Sequence, residues 1–136
     1  MSDAPTIRSL TLPEVLTIHE LVVERFGGLR GITEQGFGRV EAAVAAPAAS
    51  MFGDDLYPGL ATKAGVLFWR LVRAHGFSDG NKRVALLGLL LFLELHNARL
   101  RADDDELYAL TMGAANDTSQ EQTAAWIEAR VEHTAG

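Results

Sequence analysis

His75, Asp79, Lys82 and Arg83 fall within one stretch of nine residues, His75-Gly76-Phe77-Ser78-Asp79-Gly80-Asn81-Lys82-Arg83. His75 supplies an imidazole, a side chain that can take a proton from an attacking hydroxyl. Asp79 offers oxygen to a hard cation such as magnesium (Mg2+), which takes one or two carboxylates and completes its shell with phosphate oxygens and water. Gly80 permits a positive φ and a close approach of backbone to ligand. Asn81 can cap a helix or donate to a phosphate oxygen. Lys82 contributes a point charge and Arg83 a planar fork, and both suit phosphate oxygens. Phe77 alternates with the polar residues, so it is expected to turn inward and anchor the loop while its neighbours face out. A base, a metal ligand, an anion cradle and counter-charges are the parts of a phosphoryl-transfer site, where positioning and electrostatics do most of the work.

The element that must carry this stretch is the apolar run Val84–Leu93, which reads as a buried helix opening at the motif. Unpaired N–H groups and the positive end of the dipole make such an opening a place for an anion. Two cations there are unfavourable by roughly 0.3–1 kcal/mol each, unless a phosphate sits before them. The plainer alternative is Asp79 or Asn81 as a simple N-cap with both cations extended into water. His19, His96 and His133 lack polar company of this kind and read as surface or helix-end groups. There is no Gly-x-x-x-x-Gly-Lys-Ser/Thr loop, and no second His or carboxylate cluster supports a zinc hydrolase.

Upstream, Thr11-Leu12-Pro13-Glu14 has the form of a capping box, and Gly27-Gly28 ends the helix it starts. A second helix is expected from Glu34 or Gly36 to Ala46, stopped by Pro47. Residues 48–59 read as a loop or short hairpin with Phe52, Leu56 and Tyr57 among turn residues. A third helix spans Leu60–Ala74 with Phe68 and Trp69 buried, and the fourth runs Asn81–His96, with Asn97 as a left-handed stop. Residues 98–102 suit a short extended piece. Another helix covers Asp103–Met112, and a second capping box at Ser119–Gln122 opens a last helix carrying Trp126, Ile127 and Val131.

The pattern is an all-α fold, a compact helical bundle with a short hairpin or flap, in one domain over residues 1–136. Of the residues, 48% are hydrophobic, enough for a core without staples, and the absence of cysteine excludes disulfides and thiolate metal sites. The net charge of -6 argues against free nucleic acid as the main partner. The polar start Met1–Thr6 lacks the basic region of a signal peptide, and Val84–Leu93 is too short to cross a bilayer, so no membrane partner and a cytoplasmic location are expected.

His-x-Phe-x-Asp-x-Asn-Lys-Arg, standing as His75, Phe77, Asp79, Asn81, Lys82 and Arg83 and leading into an apolar helix, resembles the signature of the Doc toxins, a branch of the Fic family. AMP-transferring Fic enzymes usually carry His-Pro-Phe-x-x-Gly-Asn-Gly-Arg-x-x-Arg. Here Lys82 stands for the second Gly and Leu86 for the second Arg, both as in the Doc branch. The resemblance implies a kinase that binds ATP reversed and moves its γ-phosphate to a threonine of elongation factor Tu, arresting translation. It implies His75 as base for the target hydroxyl, Asp79 as magnesium ligand, and Gly80, Asn81, Lys82 and Arg83 as the phosphate cradle. Met51–Pro58 corresponds to the target-docking flap of that family. An antitoxin of the Phd type, whose C-terminal helix fills a groove of the toxin, is the implied partner. No Ser/Thr-x-x-x-Glu-Gly/Asn inhibitory string occurs in the chain itself. Two other readings stay open: a Fic-type AMP-transferase, and a non-catalytic helical module that binds a partner helix.

Overall fold

In a computed structural model, residues 6–134 are described. The polar segment at residues 1–5 lies outside them. Six α-helices form the body: α1 Leu12–Phe26, α2 Glu34–Ala45, α3 Leu60–Ala74, α4 Asn81–Leu95, α5 Asp104–Asn116 and α6 Gln120–Arg130. Both expected capping boxes are present, Thr11 with Glu14 on α1 and Ser119 with Gln122 on α6, and Asp103 with Glu106 adds a third on α5. Each satisfies two backbone donors that the helix itself cannot. The helix α2 ends one residue early because Pro47 draws the chain into a 3-10 turn at Ala46–Ala48. Asn97 takes the left-handed conformation (φ 55°) that stops α4.

The central pair is α3 and α4. Buried on them are Leu67, Phe68, Val72, Val84, Leu89, Phe92 and Leu93, packed against Val15 and Val22 of α1, Val40 of α2 and Ile127 of α6. Fully burying each large apolar side chain contributes roughly 1.5–3 kcal/mol. That outweighs the cost of two cations at the start of α4, so the core can hold an electrostatically unfavourable helix start in place. Trp69 is only half-buried, and its indole N–H donates to the Thr118 carbonyl at 2.8 Å.

Two short antiparallel ribbons complete the fold. Strands β1 (Ser50–Met51) and β2 (Asp54–Asp55) form the expected hairpin. Strands β3 (Ala98–Leu100) and β4 (Val131–His133) pair across the chain's two last connections. Val131 therefore begins a strand instead of continuing the last helix. Its side chain packs on the core from an extended backbone opposite Leu100. No helix among the described residues is long and apolar enough to cross a membrane.

Candidate active site

The site begins where α3 ends. His75 closes that helix in the left-handed conformation, φ 45° and ψ 44°, which turns the chain sharply and leaves the imidazole exposed. Arg39 of α2 secures the turn, donating from Nε to the Ala74 carbonyl (2.6 Å) and from Nη2 to the His75 carbonyl (3.1 Å). The guanidinium thereby satisfies two C-terminal carbonyls and opposes the negative end of the α3 dipole. Gly76 then passes against Gly36 of α2. A Cβ on Gly76 would lie 2.3 Å from Val40 Cγ2, and one on Gly36 would lie 2.2 Å from the Gly76 carbonyl oxygen.

Phe77 turns inward as expected and is 6% exposed. Its backbone bridges to Ile32, and the next N–H, of Ser78, donates to the Gly31 carbonyl at 3.0 Å. The side chain of Asn81 closes the loop from the other side. Its Oδ1 accepts from the Phe77 N–H (3.0 Å) and its Nδ2 donates to the Phe77 carbonyl (2.9 Å). Asn81 is thus the brace of the motif loop, and what it leaves for a ligand is chiefly its backbone N–H. The N-cap of α4 is Gly80 (φ 81°, ψ 11°), not Asp79 or Asn81. Asp79 is exposed, with Oδ2 accepting the Leu29 N–H at 2.8 Å. Its other oxygen has no protein donor among the described residues.

Because no side chain caps α4, the N–H groups of Gly80, Asn81, Lys82 and Arg83 have no protein acceptor among the described residues. The same four residues, with His75, Ser78 and Asp79, line a shallow cavity of about 270 Å3. Every hydrophilic candidate read from the sequence therefore meets around one opening. Lys82 and Arg83 are exposed, and among the described residues neither forms an ion pair. Arg83 is nevertheless placed, with its guanidinium carbon 4.5 Å from the centroid of the Phe26 ring. On the far side of Lys82 and Arg83 a larger apolar groove, about 450 Å3, runs between α4 and α5 past Leu86, Leu107, Tyr108 and Met112.

His19 belongs to this region, contrary to its reading as a surface or helix-end group. It is 5% exposed, its ring stacks on Phe77 at 4.0 Å between centroids, and its Nε2 lies 3.1 Å from the Asp79 carbonyl oxygen. The segment from Leu29 to Ile32 has no role in the sequence reading beyond lying past a helix stop. In the fold it carries the backbone partners of Asp79, Ser78 and Phe77. The available signal was a histidine within the buried face of an amphipathic helix, with three glycines in five residues just beyond that helix, Gly27, Gly28 and Gly31.

Residues 9–93, from the start of α1 to the end of the core face of α4, match the sequence profile of the Fic/DOC family. The chain belongs to the Fic/Doc family. Two relatives bracket the resemblance. Toxin Doc of Mycolicibacterium smegmatis (strain ATCC 700084 / mc(2)155) is 41% identical over 80 residues, 59% of this chain and 60% of that one. Protein kinase doc of Escherichia phage P1 is 35% identical over 114 residues, 80% of this chain and 83% of the relative. The matched part thus spans about three fifths of the mycobacterial Doc protein and most of the phage one. A compact helical Fic/Doc fold with a short hairpin is what the six helices and the β1–β2 ribbon form.

Proposed function

We propose that this chain is a Doc-type toxin, a cytoplasmic phosphotransferase that moves the γ-phosphate of ATP to a hydroxyl group of a protein. The observation that carries the reading is that one opening is lined by four residues whose N–H groups have no protein acceptor among the described residues, by two cations without an ion pair among them, and by an exposed imidazole. In the reaction, the His75 imidazole accepts the proton of the target hydroxyl, its oxygen bonds to the γ-phosphorus, and ADP leaves with the electrons of the broken P–O bond. The cradle and the two cations stabilise the charge on the transferred group. Asp79 fits a magnesium ion in one respect: it is exposed and keeps one carboxylate oxygen free of donors among the described residues. Such an ion would hold one Asp79 oxygen and otherwise phosphate and water, since no cluster of three ligating side chains stands near it among the described residues. When bound it neutralises phosphate charge.

Transfer of phosphate is favoured over transfer of AMP by Lys82 and Leu86, which replace a Gly and an Arg of the AMP-transferring pattern. The name of the phage relative, a protein kinase, points the same way. A threonine of elongation factor Tu is the proposed acceptor and arrest of translation the outcome. The proposed silencing partner is a Phd-type antitoxin, whose helix would find apolar contacts beside the cradle at Phe26 and Leu29, each more than half exposed.

The test is incubation of the purified chain with elongation factor Tu and ATP labelled at either the α or the γ position. Label retained on a protein threonine from the γ position alone, and lost in His75→Ala, is expected. Retention from the α position instead identifies an AMP-transferase. Toxicity that persists in His75→Ala, with no label from either position, identifies a binding module.

A further inference from the structure

We propose that His19 is a positioning residue that fixes the direction of the Gly80 N–H, the first donor of the phosphate cradle. The inference rests on the reading of that cradle as a phosphate site. It starts from a buried imidazole that the reaction itself does not use. A polar ring in an apolar interior is costly unless its nitrogens are hydrogen-bonded. His19 lies among Val15, Ile18, Val22 and Val23 on the buried face of α1 and is 5% exposed. Its one hydrogen-bond partner among the described residues is the Asp79 carbonyl oxygen, 3.1 Å from Nε2. A carbonyl oxygen only accepts, so Nε2 carries the proton and donates it.

That bond sets more than one atom. The peptide joining Asp79 to Gly80 is trans, with its C=O and N–H on opposite edges of one plane. Drawing the carbonyl toward α1 directs the Gly80 N–H away from α1. The open side of the loop there is the cavity shared with His75, Lys82 and Arg83. The choice is not made by Gly80 itself, because glycine accepts either orientation of the flanking peptide at little cost. The stack on Phe77, 4.0 Å between centroids and 13° between planes, fixes the plane of the imidazole in which Nε2 meets that carbonyl. An apolar ring at position 19 would fill the same space and pack on Phe77, but it would leave the peptide undirected. A hydrogen bond of ordinary strength biases such a flip roughly three- to tenfold.

Two variants separate the hydrogen bond from the packing. His19→Phe keeps a flat ring against Phe77 and removes the donor. His19→Gln restores an N–H at similar reach. Thermal melting establishes that each is folded, and titration with magnesium ATP by calorimetry reads the cradle. The expected result is a roughly three- to tenfold loss of ATP affinity in His19→Phe at a nearly unchanged melting temperature, and recovery to within about twofold of the wild type in His19→Gln. Wild-type affinity in folded His19→Phe, or equal loss in both variants, overturns the proposal. Nitrogen NMR of the free wild-type protein is a readout that needs no nucleotide and survives a variant that fails to fold. A proton on Nε2 of His19 supports the proposal, and a proton on Nδ1 alone overturns it. Failure of the wild type to bind ATP, with Nε2 protonated, overturns the phosphate-site reading while the NMR result still stands for the peptide's orientation.

Discussion

Arg83 rests its guanidinium on the ring of Phe26, 4.5 Å from its centroid, so the last residue of α1 supports a cation at the start of α4. The contact explains how an exposed arginine with no ion pair among the described residues keeps a defined place at the start of α4. A cation–π contact at an exposed site is worth about 0.5–1 kcal/mol. Phe26→Ala should therefore weaken ATP binding about two- to fivefold and leave the melting temperature nearly unchanged, since the ring is already half exposed. Calorimetric titration of the variant checks this, and unchanged affinity would show that Phe26 does not position Arg83.

Lys82 stands in the lining of both the cradle and the α4–α5 groove, where the AMP-transferring pattern has glycine. If its side chain obstructs the AMP-transfer pose, Lys82→Gly should gain transfer of label from α-labelled ATP as transfer from the γ position falls. An unchanged ratio of the two labels would assign the preference to Leu86, which lines the same groove in place of an arginine.

Gly36 of α2 and Gly76 of the motif loop approach each other closely. A Cβ at Gly36 would lie 2.2 Å from the Gly76 carbonyl oxygen, and one at Gly76 would lie 2.3 Å from Val40 Cγ2 and 2.7 Å from the Gly36 carbonyl oxygen; no rotamer change moves the two backbone oxygens. Overpacking of this kind costs roughly 1–3 kcal/mol. Gly76→Ala and Gly36→Ala should each lower stability by about that amount in urea melts, with unchanged m-values. Gly76→Pro, which restores the His-Pro-Phe of the AMP-transferring pattern, should be as damaging here, because the surroundings of position 76 are built for hydrogen alone.

The helices were legible because their apolar residues recur with helical spacing and their ends carry local signals. Thr11, Asp103 and Ser119 each cap within three residues, and Asn97 stops its own helix. The meeting of His75, Asp79, Lys82 and Arg83 was legible for the same reason, since one loop and one helix start hold them all. What failed was long-range. Val131 continues the apolar pattern of α6, and only its pairing with Leu100 makes it a strand. The partner of His19 lies sixty residues away, and nothing in its neighbours reveals a carbonyl waiting there. Asn81 shows the limit within a motif: its residue type allows a ligand or a brace, and the two bonds to Phe77 decide for the brace.

The hairpin depends on a charge pair. Lys63 of α3 is buried and donates to the Pro47 carbonyl (2.7 Å) and to Asp55 Oδ1 (2.9 Å). The Lys63 ammonium, and after it the Tyr57 N–H, hold the Asp55 carboxyl below its ordinary value of 3.8. The folded value lies under the unfolded one, so this support is complete above about pH 3.8 and is lost as pH falls through the lower folded value. Hydrogen exchange at the Leu56 amide, which donates to the Ala49 carbonyl, should accelerate across that acid window before the core unfolds. In Asp55→Asn the extra acceleration should disappear, and its persistence would place the acid-sensitive group elsewhere.

The conformation of His75 sets function against stability. A residue with a Cβ in the left-handed region at a helix end costs roughly 1–2 kcal/mol, and glycine is the usual occupant of that position. His75→Gly removes the strain but adds unfolded-chain entropy of roughly 0.5–1 kcal/mol, so a net gain of about 0.5–1 kcal/mol is expected. His75→Ala keeps the strain and should melt close to the wild type, since the imidazole is exposed and makes no side-chain hydrogen bond among the described residues. Both variants should lose transfer of the γ-phosphate. The informative comparison is between them: a glycine variant that melts higher than the alanine variant, with both inactive, shows that the fold tolerates strain to keep a base at this turn. Full activity in the more stable variant would remove His75 from the chemistry and leave the turn as a mere helix stop.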